Sequence, residues 1–391
     1  SAIIDANVTT LITGIVLFIF GQGPIQGFAT TLIIGIVTSF VTSVFLTRMM
    51  LEMYANRENA KQLPFTTGAT KTWFQNLSID FIGKRRIAYM ISGALILVSI
   101  LGFGIRGMSY GIDFSGGRNY IVQFDQKIQT EEVRKLLEST FDGASTQVIS
   151  IGTNNDKVRI STKYKIDVTS ETIDDEISAK LYEGLKPMLG NTSLADFTQK
   201  NIVNSQKVGP TIADDIKTSS VWAVIVALLL VSVYIFIRFN DFGFSMGAMA
   251  SLLHDVIVII GVFALLWGIM PFSMDIDQSF IAAILTYVGF SVNDTVVIFD
   301  RIRENIRLYP KRDRKEIIND ALNDTLSRTF STSMSVFVVL LAIFLFGGDT
   351  IRGFVFALLV GTILGVYSTL FVAVPIAFDI IEVRKKKKAS K

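Results

Sequence analysis

The sequence has no cysteine and one histidine, His254, among its 391 residues. Disulfides and thiolate metal sites are therefore excluded, and a metal site is not expected. Charged residues make up only 18% of the chain, below the roughly 25% of a soluble domain. No Gly-x-x-x-x-Gly-Lys-Ser/Thr motif occurs, so we expect no P-loop hydrolysis of ATP. Energy for any transport would come from an ion gradient or a partner.

Apolar sequence is abundant instead, at 50% of the residues. It is concentrated in runs near the length of about 20 residues that crosses a bilayer. Eight spans are predicted: Asn7–Phe20, Ile25–Thr47, Ile87–Ile105, Ser219–Ile237, Ser245–Gly268, Gln278–Ile298, Phe330–Phe346 and Ile351–Ile380. No basic region or cleavage site precedes the first, so we expect no signal peptide and a start inside a longer protein.

Basic residues cluster after the second span, after the sixth span and in the C-terminal tail. The positive-inside rule places these three segments and Ser1 in the cytoplasm and residues 107–217 outside. A basic tail beside a span favours this topology over a nucleic-acid arm, so no nucleic-acid partner is expected. The predicted division is two spans in 1–48, a cytoplasmic basic linker in 49–86, one span in 87–107, an external domain in 108–217, five spans in 218–381 with a cytoplasmic loop at 301–327, and a basic tail in 382–391.

The external segment has the pattern of a small α+β domain. Strands are predicted at Tyr120–Phe124, Gln147–Ile151, Lys157–Thr162 and before Val208, helices at Glu131–Phe141 and Ser170–Leu185, and a turn at 152–156. The order β-α-β-β-α-β is ferredoxin-like. The segment contains no cysteine or histidine, so we expect a binding or mechanical role and no catalytic site. The predicted fold is an α-helical polytopic membrane protein with this inserted domain.

An internal repeat joins the two ends of the chain. Phe20–Phe28 aligns without gaps on Phe346–Phe354, and the register continues to Gly35 and Gly361. Each copy reads as two spans joined by a glycine turn, as in transporters built from repeats. Convergence of glycine-rich turns on apolar helices is the alternative.

Ionisable residues within spans cost several kcal/mol unless they are paired or hydrated, and they mark functional sites. Asp294 lies late in the sixth span, and Arg328 opens the seventh. Movement of Arg328 toward or away from Asp294 would make the carboxylate release or hold a proton. A static ion pair that holds the helices together is the alternative.

Further polar residues lie inside other spans. His254 and Asp255 are adjacent in the fifth span, where a helix-packing hydrogen bond is as reasonable as a functional role. Asp5 leads the first span with Thr9 one turn on, although a place at the cytoplasmic interface is an alternative for Asp5. Polar stripes on several spans indicate that the spans face one another around a hydrated path.

Several motifs resemble those of the SecD/SecF protein-export family. They are Gly111-Ile112-Asp113-Phe114-Ser115-Gly116-Gly117, Val208-Gly209-Pro210, Leu252-Leu253-His254-Asp255, Asn293-Asp294-Thr295-Val296-Val297 and Ser327-Arg328-Thr329. The SecF resemblance runs from about Phe81 to the tail. The opening Ile4–Ile12 and the turn that follows resemble the last two spans of SecD. The chain therefore resembles the C-terminal part of a fused SecDF, in the resistance–nodulation–division superfamily.

The resemblance implies a role in protein export across the bacterial inner membrane, driven by the proton-motive force. Its implied partners are the SecYEG translocon, SecA, YajC, YidC, the unfolded exported polypeptide and the lipid bilayer, with protons as coupling ion and no cofactor or enzymatic activity. Asp294 and Arg328 would be essential. The residues Asn293, Thr295, His254, Asp255, Asp5 and Thr9 would support them, and Gly111, Asp113, Gly116 and Gly117 would be structural.

One departure from the family concerns the SecD half. The family carries a third key aspartate on an earlier SecD span, whereas the residues after Asp5 place it on the following span. We therefore expect the partner carboxylate to be absent from this chain. An exporter of small molecules or lipids from the same superfamily, or a translocon scaffold that moves no ions, are the alternative functions.

Overall fold

The computed structural model describes residues 2–57, 78–144, 146–151, 156–166, 168, 172–270 and 272–389. In these ranges the chain forms fourteen α-helical segments and four strands. In chain order they are α1 Ala2–Phe20, α2 Pro24–Val41, α3 Thr47–Ala55, α4 Arg85–Arg106, α5 Ile112–Ser115, β1 Gly117–Gln123, α6 Thr130–Thr140, β2 Thr146–Ile151, β3 Lys157–Thr162, α7 Ile173–Leu189, α8 Leu194–Asp196, β4 Ile202–Val208, α9 Pro210–Phe239, α10 Phe242–Leu266, α11 Gln278–Leu308, α12 Arg314–Phe346, α13 Asp349–Ser368 and α14 Val374–Ala389. Short π-helical segments at Thr42–Leu46 and Thr369–Ala373 make α2–α3 and α13–α14 continuous, and a third lies at Phe197–Asn201.

Eight helices of the described chain are long and apolar enough to cross a membrane, which confirms the predicted number of spans. They are α1, α2 with α3, α4, α9, α10, α11, α12, and α13 with α14. We call the end of the bundle that carries the inserted domain the domain side and the opposite end the basic side. Most of α11 and over half of α10 are buried by protein, whereas α2 and α12 expose most of their surface.

Two predicted boundaries differ from the structure on the basic side. The segment predicted as a loop at 301–327 is mostly helical, because α11 continues to Leu308 and α12 begins at Arg314. Ion pairs on the exposed faces stabilise these extensions, such as Arg301 with Asp324 at 2.9 Å. The second span continues as helix to Ala55, beyond the predicted boundary at 48, and residues 58–77 of the predicted linker lie outside the described residues.

The inserted domain has the predicted element order β-α-β-β-α-β. Its antiparallel sheet has the strand order β2-β3-β1-β4, and one face packs on α6 and α7 around the buried residues Val122, Leu137, Ile160, Ile177 and Leu181. Residues 152–155 of the predicted turn and the first two residues of the predicted second helix, 170–171, lie outside the described residues. That helix begins at Ile173 and continues to Leu189.

A glycine pair starts the domain. Gly116 and Gly117 have φ of +67° and +143°, conformations that favour glycine over residues with a Cβ. A Cβ on Gly116 would also lie 2.6 Å from Ile166 Cδ1, and one on Gly117 would lie 3.0 Å from the Thr162 carbonyl oxygen. The pair therefore turns the chain from α5 into β1 where no side chain fits.

The two copies of the sequence repeat share a backbone hydrogen bond at the turn. The Gly21 N–H donates to the Leu17 carbonyl at 2.8 Å, and the Gly347 N–H at the matching position donates to Ile343 at 2.7 Å. The π-helical segments of the two copies begin one residue apart in the gap-free alignment. Equivalent hydrogen bonds and equivalent helix irregularities at this register favour a true repeat over convergence.

Close helix contacts on the basic side depend on small residues. A Cβ on Gly247 of α10 would lie 2.3 Å from the carbonyl oxygen of Ala373 and 3.0 Å from the Cβ of Ala377. Both obstacles are backbone or short side chain, so a rotamer change cannot relieve them.

We therefore expect Gly247→Ala to lower the free energy of unfolding by about 1–3 kcal/mol, the usual cost of overpacking. Gly93→Ala on α4 is the matched control, because nothing lies within 4 Å of the added Cβ. The control should be neutral or stabilising by up to about 1 kcal/mol, since alanine is the better helix former. Thermal unfolding in detergent measures both, and equal stability of the two variants would contradict the packing described here.

Candidate functional site

Asp294 lies in the middle of the bundle on α11 and faces α12. Its Oδ2 accepts a hydrogen bond from the Ser333 hydroxyl at 3.2 Å. Its Oδ1 lies 3.4 Å from the Thr332 hydroxyl, which is also 3.0 Å from the carbonyl oxygens of Arg328 and Thr329. Ser333 is buried, and Asp294 is partly buried. The carboxylate thus has only neutral hydroxyls as hydrogen-bond partners among the described residues.

Arg328 lies on α12 one turn before Thr332, close enough to act on Asp294 electrostatically. Its side chain is exposed and makes no ion pair within 4.0 Å in the described part of the chain. The static Asp294–Arg328 ion pair is therefore not the arrangement seen here. Ser331, Thr332 and Ser335 are also exposed on this helix, which leaves a polar stripe on its outer surface.

The neighbours of Asp294 in the sequence hold α11 to two other helices. Asn293 Oδ1 accepts from the Thr9 hydroxyl of α1 at 3.3 Å. The hydroxyls of Thr295 and Thr369 are 3.0 Å apart, which ties α11 to the π-helical segment after α13. Successive helical residues point about 100° apart, so three adjacent polar residues serve three different contacts.

Asp5 is buried within α1 and forms a second charged contact. Its Oδ1 accepts hydrogen bonds at 2.7 Å from both the Tyr234 hydroxyl and the Arg238 Nε of α9. Arg238 also lies 3.9 Å from Asp300. Tyr234 and Arg238 were not among the predicted site residues, although their spacing of four in the last turns of an apolar helix is a usable signal.

The predicted pair His254 and Asp255 forms a hydrogen-bonded network between three helices. His254 Nδ1 is 2.8 Å from Asp255 Oδ1. The hydroxyls of Tyr287 and Ser368 each donate to Asp255 Oδ2 at 2.5 Å. The Tyr287 ring fits there because Cβ atoms on Gly361 and Gly365 would lie 2.5 and 3.0 Å from it. Ser368 was not predicted, because its contact is set by the packing of α13 on α10.

The motif that precedes the domain docks it onto the start of α11. A Cβ on Gly111 would lie 2.9 Å from the Cβ of Asp277, and Asp113 Oδ2 accepts from the Gln278 N–H at 3.3 Å. A short parallel bridge between Tyr110 and Ile276 completes the contact. The structural role expected of Gly111 and Asp113 therefore consists of fixing the domain to a membrane helix.

A cleft of about 1040 Å³ lies between the domain and the bundle, and Asp113, Asp275, Asp277 and Arg159 line it. Burial raises the pKa of Asp277 to about 7, with smaller contributions from the Asp113 and Asp275 charges. Burial also raises the pKa of Asp113. Within the described residues, no three Asp, Glu or His side chains form a group suited to a metal ion.

Comparison with known proteins gives two family matches. Residues 1–57 and 190–383 match the model described as "Protein export membrane protein SecD/SecF, C-terminal". Residues 102–128, which contain the glycine pair, match the "SecD/SecF GG Motif".

Relatives and solved structures agree with these matches. The chain is 38% identical to the protein translocase subunit SecF of Rhodothermus marinus, over 78% of this chain and 94% of that protein. It is 33% identical to the protein translocase subunit SecDF of Bacillus subtilis, over 96% of this chain and 50% of that protein. The crystal structure of the translocon-associated membrane protein SecDF from Thermus thermophilus superposes with a TM-score of 0.80 at 27% identity, covering 97% of this chain and 48% of that one. The chain thus spans most of a SecF and about half of a SecDF.

We expect Asp5→Ala to lower the free energy of unfolding by roughly 2 kcal/mol. Breaking a fully buried ion pair costs about 3–5 kcal/mol, and the partial exposure of Arg238 reduces this cost. Arg48→Ala is the control, because its ion pair with Glu52 is exposed and should contribute under about 1 kcal/mol. Chemical denaturation of both variants tests the difference, and equal losses would mean that the Asp5 contact is no stronger than a surface pair.

Asp277 should make stability depend on pH. Its pKa is about 7 in the folded protein and 3.8 ordinarily, so the folded state binds a proton that the unfolded chain has released between these values. Stability therefore falls as pH rises from about 4 to about 7. Asp277→Asn should flatten this slope, because asparagine does not titrate. Its carbonyl oxygen can still accept from the Phe280 N–H, so the local structure is kept. The exposed Asp175→Asn should keep it, and identical pH profiles for Asp277→Asn and the unmodified protein would refute the assignment.

Proposed function

We propose that this chain, which belongs to the SecD/SecF family of protein-export membrane proteins, acts as a proton-driven accessory subunit of the Sec translocon and promotes late steps of export. The surroundings of the Asp294 carboxylate support the proposal that protons drive the protein. The partly buried carboxylate has the neutral hydroxyls of Ser333 and Thr332 as its neighbours, while the nearby cation Arg328 makes no ion pair with the described residues.

This arrangement suits reversible proton binding. A carboxylate held by neutral donors can bind a proton and keep hydrogen bonds to the same hydroxyls. If Arg328 approaches, its charge favours the ionised form and the proton leaves. Because α12 carries both Arg328 and the hydroxyl donors, movement of α12 against α11 would couple proton release to a change in helix packing.

The inserted domain, on the domain side of the bundle, would transmit this helix movement to the exported polypeptide. Asp113 and Gly111 attach the domain to the start of α11, the helix that carries Asp294. A shift of α11 would therefore move the domain as a lever. The cleft beneath the domain, lined by both polar and apolar residues, offers a surface for an unfolded exported polypeptide.

The location and partners follow from the family. The protein would be a multi-pass protein of the bacterial inner membrane, with the basic side and both termini of this chain cytoplasmic and the domain periplasmic. SecYEG, SecA, YajC and YidC would be its partners, with the lipid bilayer around it and no role for nucleic acid. Protons would be the coupling ion, without a cofactor and without enzymatic activity.

The exposed polar stripe of α12 supports a second half in the working assembly. Arg328, Ser331, Thr332 and Ser335 would face lipid in the chain described here, which is unfavourable for polar groups. Further SecD-type helices, with the family's third aspartate, would cover this stripe. The chain spans about half of its SecDF relatives, which agrees with such a second half.

Two other functions account for fewer of these observations. A translocon scaffold would not need an unpaired arginine beside a buried carboxylate. An exporter of small molecules or lipids would use the same charges, but the matches are to protein translocase subunits.

The test uses the full assembly in membrane vesicles. Asp294→Asn should abolish stimulation of export by the proton-motive force while the protein still inserts, because asparagine cannot bind the proton. Arg328→Lys should reduce it at least about tenfold, since lysine keeps the charge but loses the planar fork. Asp324→Asn, an exposed carboxylate on the same helix, is the control and should retain stimulation. Unchanged stimulation by the proton-motive force in Asp294→Asn would contradict the role of Asp294, and absence of any such stimulation in the unmodified protein would favour the scaffold.

A further inference from the structure

The pair His254 and Asp255 is a buried titratable group that takes no part in the proposed proton coupling at Asp294. Asp255 is fully buried, and His254 is 3% exposed. A contact that only packed helices together would be served by neutral side chains, because an ionised group inside the membrane is costly. The presence of an acid and a base at this position therefore needs a further explanation.

The charge of the pair depends on one proton. With neutral histidine and ionised Asp255 the pair carries a net charge of −1, and one more proton makes it neutral. Nδ1 of His254 is taken by Asp255. Its Nε2 is buried and has no hydrogen-bond partner among the described residues, so in the tautomer that donates to Asp255 it is a free acceptor. No donor among the described residues compensates the negative charge of the pair at Nε2, so a proton on Asp255 would be needed to cancel it.

Tyr287 connects the pair to α11 in a way that responds to this proton. Its single phenolic proton has two partners, Asp255 Oδ2 at 2.5 Å and Ser291 Oγ at 3.2 Å. When Asp255 is ionised, Tyr287 donates to the carboxylate and accepts from Ser291. A proton on Oδ2 has two possible acceptors, the hydroxyls of Tyr287 and Ser368, each 2.5 Å away. When Asp255 donates it to Tyr287, Tyr287 donates to Ser291, and the direction of this chain of hydrogen bonds is reversed.

Ser291 brings this chain to the turn that carries Asp294. The two residues are three positions apart on α11, a rise of about 4.5 Å on one face of the helix. No hydrogen bond joins Ser291 to Asp294 among the described residues, so this last step is electrostatic. The Ser291 O–H dipole changes direction with the state of Tyr287, one helical turn from Asp294.

We propose that His254 and Asp255 form a second proton-binding site of the transport path, linked to Asp294 through Tyr287 and Ser291. This proposal rests on the proposed function. In the binding step one O–H bond forms at Asp255 Oδ2, and His254 stays neutral. The proton comes from the path, and the hydroxyl groups only reorient.

The charged groups of the surrounding helices do not neutralise the pair. Tyr287 of α11 and Tyr367 of α13 face it, the latter with its ring centroid 6.1 Å from that of His254. Among the described residues, His254 is the one basic side chain within ion-pair distance of Asp255. On the helices that pack against α10, Arg85 and Tyr89 of α4 bond Asp379 of α14, and Tyr234 and Arg238 of α9 bond Asp5.

Infrared difference spectroscopy of the full assembly in liposomes tests the proposal during a pH titration. A carbonyl band of protonated Asp255 should appear and vanish with pH, and Asp255→Asn should remove it. Asp294→Asn should shift the midpoint of that band by about one pH unit, the scale of coupled sites. Tyr287→Phe keeps the ring beside Gly361 and Gly365 and should abolish this shift. Tyr367→Phe, whose hydroxyl bonds the Ala88 carbonyl, is the matched control and should preserve it.

Two results would overturn the proposal: an Asp255 band that stays constant over the pH range in which the protein is folded, or an Asp294-dependent shift that survives Tyr287→Phe. If Asp255→Asn does not fold, Asp255→Glu supplies the assignment by moving the band. The readout does not require export. A constant Asp255 band with intact proton-linked export would refute this inference alone, whereas normal export in Asp294→Asn would refute the proposed function.

Discussion

The structure depends on one constraint, which is that polar groups placed in hydrocarbon must find partners within the protein. The central helix α11 shows how this is met. Tyr287 turns toward Asp255 on α10, Asn293 toward Thr9 on α1, and Asp294 toward Thr332 and Ser333 on α12. Each polar residue of α11 therefore specifies one neighbouring helix. The same contacts that hold the bundle together are the ones available for proton movement.

The sequence repeat forms two equivalent hairpins near the two ends of the chain. The turn at Gly21 and the turn at Gly347 use the same backbone hydrogen bond, so the two hairpins are one unit used twice. The first hairpin packs α1 against α11 and places Asp5 on Arg238. In the second, α12 meets α11 on one face and exposes Arg328 on another. The polar stripe of the second hairpin thus marks where a pseudo-symmetric half would pack.

The domain is attached to this bundle at the start of α11. Gly116 and Gly117 allow a turn that no side chain would permit, and Gly111 and Asp113 contact Asp277 and Gln278 directly. These contacts join the start of α11 to the segment that leads into the first strand of the domain. The acidic cleft at this junction adds a group, Asp277, whose protonation changes near neutral pH.

The sequence by itself determined the number of spans, the element order of the domain and the repeat, because hydropathy acts locally along the chain. The cost of buried charge also singled out Asp294, Arg328, His254, Asp255 and Asp5 as ionisable residues within or beside the spans. The sequence could not assign partners. Tyr287 and Asp294 lie on the same helix, yet the Tyr287 hydroxyl bonds Asp255 because Gly361 and Gly365 open the space beside α13. The contact of Ser368 with Asp255 became visible only in the fold. Which charges meet is decided by helix packing, since contacts between residues hundreds of positions apart leave no periodic signal in one sequence.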